Sequence, residues 1–292
     1  MRIALFGKKG QVGWELEKFL HRLGEVISFD RQGLNVYDLT QVQKTLLNIE
    51  PDLIINASAY TEVDRAETEP EIAMHVNANA PGVMAETART LNASFIHYST
   101  DYVFDGNSTT PYVETDRPNP LNTYGKSKLA GEKNIGQVGG SYIILRTSWV
   151  YSMRGNTFVN KFLSWARTNA SLRIVDDQIS NPTWAKALAE ATFSLVASHR
   201  DNLQDVMKER SGIYHLAGNG YASRYEWAKQ ILTNASNQTD ILVQAIEPVS
   251  SREFPTPATR PLFSALDCSK IREVFNVRLP NWEESLRAAM LE

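Results

Sequence analysis

The sequence predicts an α/β fold, a doubly wound parallel sheet followed by a smaller α+β C-terminal region. Three observations predict it. Short, continuously apolar runs alternate with longer stretches of helical spacing through the first half of the chain, as strands covered on both faces and their crossover helices do. The first apolar run passes directly into a glycine-rich turn, Gly7-Lys8-Lys9-Gly10-Gln11-Val12-Gly13, that opens a helix. In the second half the alternation weakens and proline-rich loops appear.

Ile3–Phe6 is the first candidate strand, and Val12–Leu23 follows with Val12, Leu16, Phe19, Leu20 and Leu23 along one helical face. Val26–Phe29, helix Thr40–Ile49, Leu53–Asn56, helix Glu71–Leu91, Phe95–Ser99, helix Tyr124–Gly136 and Tyr142–Arg146 continue the alternation. Right-handed crossovers arrange such units as a doubly wound sheet. Beyond it, Phe158–Arg167, Trp184–Ser198, Ser223–Asn234 and Trp282–Leu291 have helical spacing, while Ile213–Leu216 and Ile241–Ile246 read as strands. Asn181-Pro182-Thr183 and Phe254-Pro255-Thr256-Pro257 are loops.

With 42% hydrophobic and 22% charged residues, the 292-residue chain has ordinary globular composition, which argues against disorder. Thirty basic against 33 acidic residues leave a charge of −3, so no broad positive footprint for nucleic acid is expected. A single cysteine, Cys268, allows neither an intrachain disulfide nor a cysteine metal cluster and suits a reducing compartment. The apolar run before Lys8 is too short for a signal peptide, and no stretch approaches the roughly 20 apolar residues of a membrane span. The expectation is a soluble, cytoplasmic protein without nucleic-acid or membrane partners. Its five histidines are scattered and suggest no metal site; His97, inside a candidate strand, reads as a core residue.

The glycine turn is where backbone N–H groups approach a pyrophosphate at a helix N-terminus. Its Gly-x-x-Gly-x-x-Gly spacing makes Gly7, Gly10, Gln11, Val12 and Gly13 candidate cofactor contacts. Asp30 ends the second strand about 20 residues on, where a carboxylate accepts from ribose hydroxyls and favours NADH. Arg31 follows and suits the 2′-phosphate of NADPH, so both cofactors stay open. Asp38 and Leu39 are candidates beside the adenine, Asp38 equally as a helix cap. Ala59, Tyr60 and Thr61 follow the third strand and are candidates for the remaining nucleotide.

Tyr124 and Lys128 stand four apart, on one helical face. A phenol titrates near 10, and a cation one turn away favours its ionised form. Ser99, Thr100 and Asp101 lie at the carboxyl end of a central strand, where open α/β sheets bind ligands. A hydroxyl there can hold both a substrate carbonyl and the phenol. These readings divide the chain into a dinucleotide-binding domain, residues 1–150, and a mainly substrate-binding region, residues 151–292, with some chain returning to the core.

With these residues in view, the chain resembles the extended short-chain dehydrogenase/reductases, Rossmann-fold enzymes, nearly end to end. The resemblance rests on Gly7 through Glu15, Asn56 through Glu67, His97-Tyr-Ser-Thr-Asp-Tyr-Val-Phe, Tyr124 through Glu132, Arg146-Thr-Ser-Trp-Val-Tyr and Pro255 through Pro261. It implies hydride delivery from NADPH or NADH to the carbon-4 ketone of a dTDP-bound 6-deoxy sugar. Thr100, Tyr124 and Lys128 would be catalytic: Tyr124 protonates the alkoxide, Lys128 tunes Tyr124 and holds the ribose, Thr100 orients the ketone. Trp149 would pack against the sugar, or else belong to the core. Arg260 would clamp the pyrophosphate, or else lie on the surface; Asp101 and Asn181 are further substrate candidates.

Some members are described as dimers bridged by magnesium between two glutamates. Glu15 matches the first, but Lys186 stands at the second, and an ammonium does not ligate a cation. A metal bridge is therefore not expected, and monomer and homodimer both remain open. Two rival activities share the scaffold. An epimerase or dehydratase would retain its dinucleotide; a non-catalytic subunit, like the regulatory one of methionine adenosyltransferase, would bind it without turnover.

Overall fold

The computed structural model describes residues 1–235 and 239–292. The first half runs β1 (Arg2–Phe6), α1 (Gln11–Leu20), β2 (Glu25–Phe29), α2 (Leu39–Ile49) and β3 (Leu53–Asn56). A helical stretch follows as α3 (Val63–Ala66), α4 (Pro70–Met74) and α5 (Ala80–Thr90), then β4 (Ser94–Thr100), α6 (Thr123–Val138) and β5 (Tyr142–Thr147). The second half holds β6 (Val150–Tyr151), α7 (Phe158–Thr168), β7 (Ser171–Val175), β8 (Ile179–Ser180), β9 (Thr183–Trp184) and α8 (Ala185–Ser198). It closes with α9 (Leu203–Glu209), β10 (Gly212–His215), β11 (Ala222–Ser223), α10 (Arg224–Asn234), β12 (Ala245–Val249), α11 (Ser269–Phe275) and α12 (Trp282–Met290).

Six strands form one sheet in the order β10-β5-β4-β3-β1-β2, and every pairing in it is parallel. Alternate side chains of β1 explain how it is covered. Ile3 and Leu5 join Leu16 and Leu20 of α1 and Leu188 and Leu195 of α8 on one face. Ala4 and Phe6 join Val42 and Leu46 of α2, Met84 of α5 and Ile135 of α6 on the other. β3 and β4 are buried at every residue, hence their unbroken apolar reading. From β1 the chain first adds β2 on one side and then β3 on the other. This reversal opens a crevice at the carboxyl ends of the strands, the usual ligand position in such sheets.

The second half supplies β10 to the same sheet and α8 and α11 to the first core. Its own core gathers Tyr151, Phe162, Trp227, Ile231, Trp282 and Leu286. Two elements differ from their expected forms. The helix expected over Glu71–Leu91 is split by a π-turn at His75–Asn79, which aims Asn77 inward at Tyr60 and Ser127. The strand expected at Ile241–Ile246 begins only at Ala245, because the N–H groups of Leu242 and Val243 wrap the end of α7 by donating to the Ala166 carbonyl.

Candidate active site

The crevice is a cleft of about 1280 Å³ whose lining runs from the glycine turn to Trp149 and Arg224. At one end Gly7 has a φ of +89° and sits so close to Ala57 that a Cβ would lie 2.7 Å from its backbone. The N–H groups of Gly7 and Lys8 donate to the Phe29 carbonyl, closing the turn against β2. Gly13 lies outside the lining; its role is contact, since a Cβ there would meet the Gly7 carbonyl oxygen at 2.1 Å. Gly10, with no side chain to cap with, opens α1, so the N-terminal donors and dipole of that helix face the cleft. Such a cradle, lined also by Gln11 and Val12, fits a pyrophosphate.

Asp30 lines the cleft with its carboxylate already engaged. Oδ1 accepts from the N–H groups of Gln32 and Gly33, and Lys9 Nζ lies 2.8 Å from Oδ2. The Lys9 hydrogen bond, then the Gly33 N–H, hold its pKa down at about 2. Arg31 is exposed beside it on the lining. Asp38 does the work of a cap, accepting from Gln41 N–H at the start of α2, and neither Asp38 nor Leu39 is on the lining. Ala59, Tyr60 and Thr61 are, with the Tyr60 backbone clamped on both polar atoms by the Asn77 amide.

Thr100, Asp101, Tyr124 and Lys128 converge in the middle of the cleft. Asn122 caps α6 by accepting from Gly125 N–H. Gly125 lets that helix start press on the Tyr102 carbonyl, where a Cβ would lie 2.2 Å away. Tyr124 is thereby set edge-on to Tyr102, ring centroids 5.8 Å apart. Burial raises its phenol pKa well above the ordinary value; the Thr100 hydroxyl opposes the rise and the Asp101 charge adds to it. Lys128 is not among the groups that shift it. Lys128 Nζ points to the Tyr98 carbonyl at 2.6 Å and to His97 Nε2 at 3.1 Å, and burial lowers it to about 8.

Beneath these groups Ser99 donates to Glu132, which pairs bidentately with Arg146 at 2.9 and 2.6 Å. Asp101 accepts from Ser264 at 2.6 Å, Ser180 at 3.1 Å and Thr100 at 3.1 Å. Burial nevertheless pushes its pKa up to about 6.

Trp149 belongs to the second core and also faces the cleft. It lines the cleft, and its ring stacks on Trp227 of the second core at 5.6 Å. Its φ of +38° is unusual for an aromatic residue and marks strain held at a site. Arg260, by contrast, lies off the lining and grips Asp64 bidentately at 3.0 and 2.7 Å. Arg224 stands on the lining instead, its guanidinium 3.6 Å from the centre of the Trp149 ring. It has no carboxylate within ion-pair distance among the described residues, and burial lowers its pKa to about 10. Sequence reasoning missed it, although Ser223 and Glu226 form a capping box that fixes Arg224 in the first turn of α10. Asn181 is also off the lining. Its amide donates to the carbonyls of Gly218 and Gly220 and its oxygen accepts from Leu266 N–H, so it braces loops rather than facing a substrate.

Glu15 and Lys186, the positions compared with metal-bridging glutamates, pair with Lys18 and Glu292 respectively. Among the described residues no helix is long and apolar enough to cross a membrane.

The whole chain, residues 1–292, matches the family model described as RmlD substrate binding domain. It is 39% identical to dTDP-4-dehydrorhamnose reductase of Escherichia coli strain K12, over 100% of this chain and 98% of that protein. It is 36% identical to the spore coat polysaccharide biosynthesis protein SpsK of Bacillus subtilis strain 168, over 100% and 97%. A crystal structure of dTDP-4-dehydrorhamnose reductase from Bacillus anthracis in complex with NADP superposes with a TM-score of 0.88 at 32% identity, covering 99% of this chain and 98% of that one.

Proposed function

The chain belongs to the family described as RmlD substrate binding domain, and from that membership we propose that it reduces the carbon-4 ketone of dTDP-4-dehydro-6-deoxy-L-mannose to give dTDP-L-rhamnose. NADPH or NADH is the reductant. The observation that carries this reading is the convergence of Thr100, Tyr124 and Lys128 in one cleft that begins at the glycine turn. When bound, the reduced dinucleotide supplies a hydride to the carbonyl carbon.

Tyr124 gives its phenolic proton to the oxygen as charge develops there. Its raised pKa keeps that proton in place at neutral pH, so release requires a cation beside the phenolate, the task of Lys128. The Thr100 hydroxyl holds the ketone oxygen toward Tyr124, and Asp101 holds Thr100. Gly7, Gly10, Gln11 and Val12 hold the pyrophosphate of the dinucleotide, with Asp30 and Arg31 at its ribose and Ala59 to Thr61 along the remaining nucleotide. Trp149 offers the sugar an apolar wall. Arg224, a cation on the lining with no carboxylate within ion-pair distance among the described residues, serves the phosphates of the substrate, while Arg260 supports the Pro255–Pro261 loop through Asp64. The protein on this reading is a cytoplasmic monomer or homodimer with no metal between subunits.

The test is turnover by purified protein with the dTDP-linked 4-keto sugar and each dinucleotide in turn. One dTDP-L-rhamnose should form per dinucleotide oxidised, and Tyr124→Phe should lower the rate by about 10²–10⁴-fold while leaving dinucleotide binding intact. Binding of dinucleotide with no ketone reduction would overturn the reading.

A further inference from the structure

The polar contacts behind Lys128 form a chain whose donor and acceptor roles can be assigned from one end. Ser58 N–H lies 3.0 Å from Asn56 Oδ1, and Ser58 Oγ lies 2.6 Å from the same atom. A backbone N–H can only donate, so Asn56 must turn its oxygen toward Ser58 and its amide nitrogen toward His97. That nitrogen lies 3.1 Å from His97 Nδ1, which must therefore accept. A neutral imidazole accepting at Nδ1 carries its proton on Nε2. The Nε2–H then points at Lys128 Nζ, 3.1 Å away.

An ammonium has three donors and no acceptor, so a charged Lys128 would set two donors head to head at this contact. An uncharged amine accepts from Nε2–H through its lone pair and still donates to the Tyr98 carbonyl at 2.6 Å. From this directional chain we propose that His97 is a positioning residue that holds Lys128 as an uncharged amine in the dinucleotide-free protein at alkaline pH, so that capture of the dinucleotide there is coupled to uptake of one proton from solvent at Lys128 Nζ. The proposal rests on the reductase reading, in which the loaded site needs the ammonium beside Tyr124.

The surroundings agree with it. Burial lowers Lys128 to about 8 and holds His97 well below its usual value. Among the described residues, Glu132 on its own helix and His97 on β4 act on Lys128; Tyr124 and Asp101 line the same cleft, and Arg146 on β5 is linked to Lys128 through Glu132. Glu132 favours the ammonium, but its carboxylate is already matched by Arg146 and Ser99. Asp101 is held by Ser180 and Ser264. The Tyr98 phenol points away, to Thr192.

Calorimetry of NADPH binding in buffers of different ionisation enthalpy counts the protons taken up, at a pH where the 2′-phosphate is fully ionised. At about pH 9, above the free Lys128 value, wild type should take up about one proton per NADPH bound, falling away below about pH 8. In His97→Gln the side-chain amide can turn its oxygen to the ammonium, so Lys128 stays charged before binding. Its uptake at that pH should shrink to a small fraction. The alkaline limb of kcat/KM for NADPH should also move up by about one pH unit, a change that a merely structural role would not produce. NADPH bound by wild type without proton uptake, or an equal count in His97→Gln, would overturn the proposal and leave the reductase reading standing. Failure of wild type to bind NADPH would overturn both. The wild-type count stands alone if His97→Gln does not fold.

Discussion

Lys9 reaches from the phosphate turn to Asp30, and this contact decides how the ribose end meets charge. An uncompensated carboxylate at the end of β2 would repel a 2′-phosphate. Here Lys9 neutralises Asp30, the carboxylate is tied to Gln32 and Gly33, and Arg31 adds a second cation at the lining. On the proposed reading, NADPH should therefore be tolerated at a position whose residue type alone suggests NADH. Lys9→Ala removes the neutralising charge. It should lower kcat/KM with NADPH relative to NADH by about tenfold, the scale of one charge-assisted hydrogen bond; steady-state kinetics with both dinucleotides checks this.

At the level of elements, α6 carries Tyr124 and Lys128 and is pinned to β5 by the buried Glu132–Arg146 pair. Removing one partner of such a pair leaves an uncompensated charge. Glu132→Gln should cost about 3–5 kcal/mol in denaturant unfolding, and Glu132→Leu with Arg146→Met should recover most of it. The strands and crossover helices around this pair were legible because both faces of the sheet are covered and their apolar runs are unbroken. β7, α9 and α11 were not, since they are short elements decided by tertiary partners. The same division runs through the site. Thr100, Tyr124 and Lys128 were legible from spacing and resemblance, and the structure brings them together. Arg224 was not, because its place on the lining depends on the second half folding back over the sheet. Arg260 and Asn181 carried the right chemistry for ligand contact, yet Asp64 and a set of loop groups, all distant in sequence, engage them.

Over the whole molecule, Asp101 joins the sheet to the second half through the uncharged hydroxyls of Ser180 and Ser264. Its folded pKa, about 6, lies above the unfolded value near 3.9. The folded state thus binds the extra proton, and this group adds stability as pH falls through about 6, levelling below the unfolded value. Wild type should gain stability relative to Asp101→Asn over that window, as measured by urea unfolding at stepped pH. A difference independent of pH would show that the carboxylate is not held as described.

The reductase reading turns on which atom of a bound sugar receives the hydride. The most direct measurement supplies NADPH deuterated at the transferable position of its nicotinamide, together with the dTDP-linked 4-keto sugar, and locates the label in the product. Deuterium at carbon 4 of dTDP-L-rhamnose, one per NADPH oxidised, is the predicted result. An unlabelled sugar isomerised without net NADPH oxidation, or label at any other carbon, would contradict it.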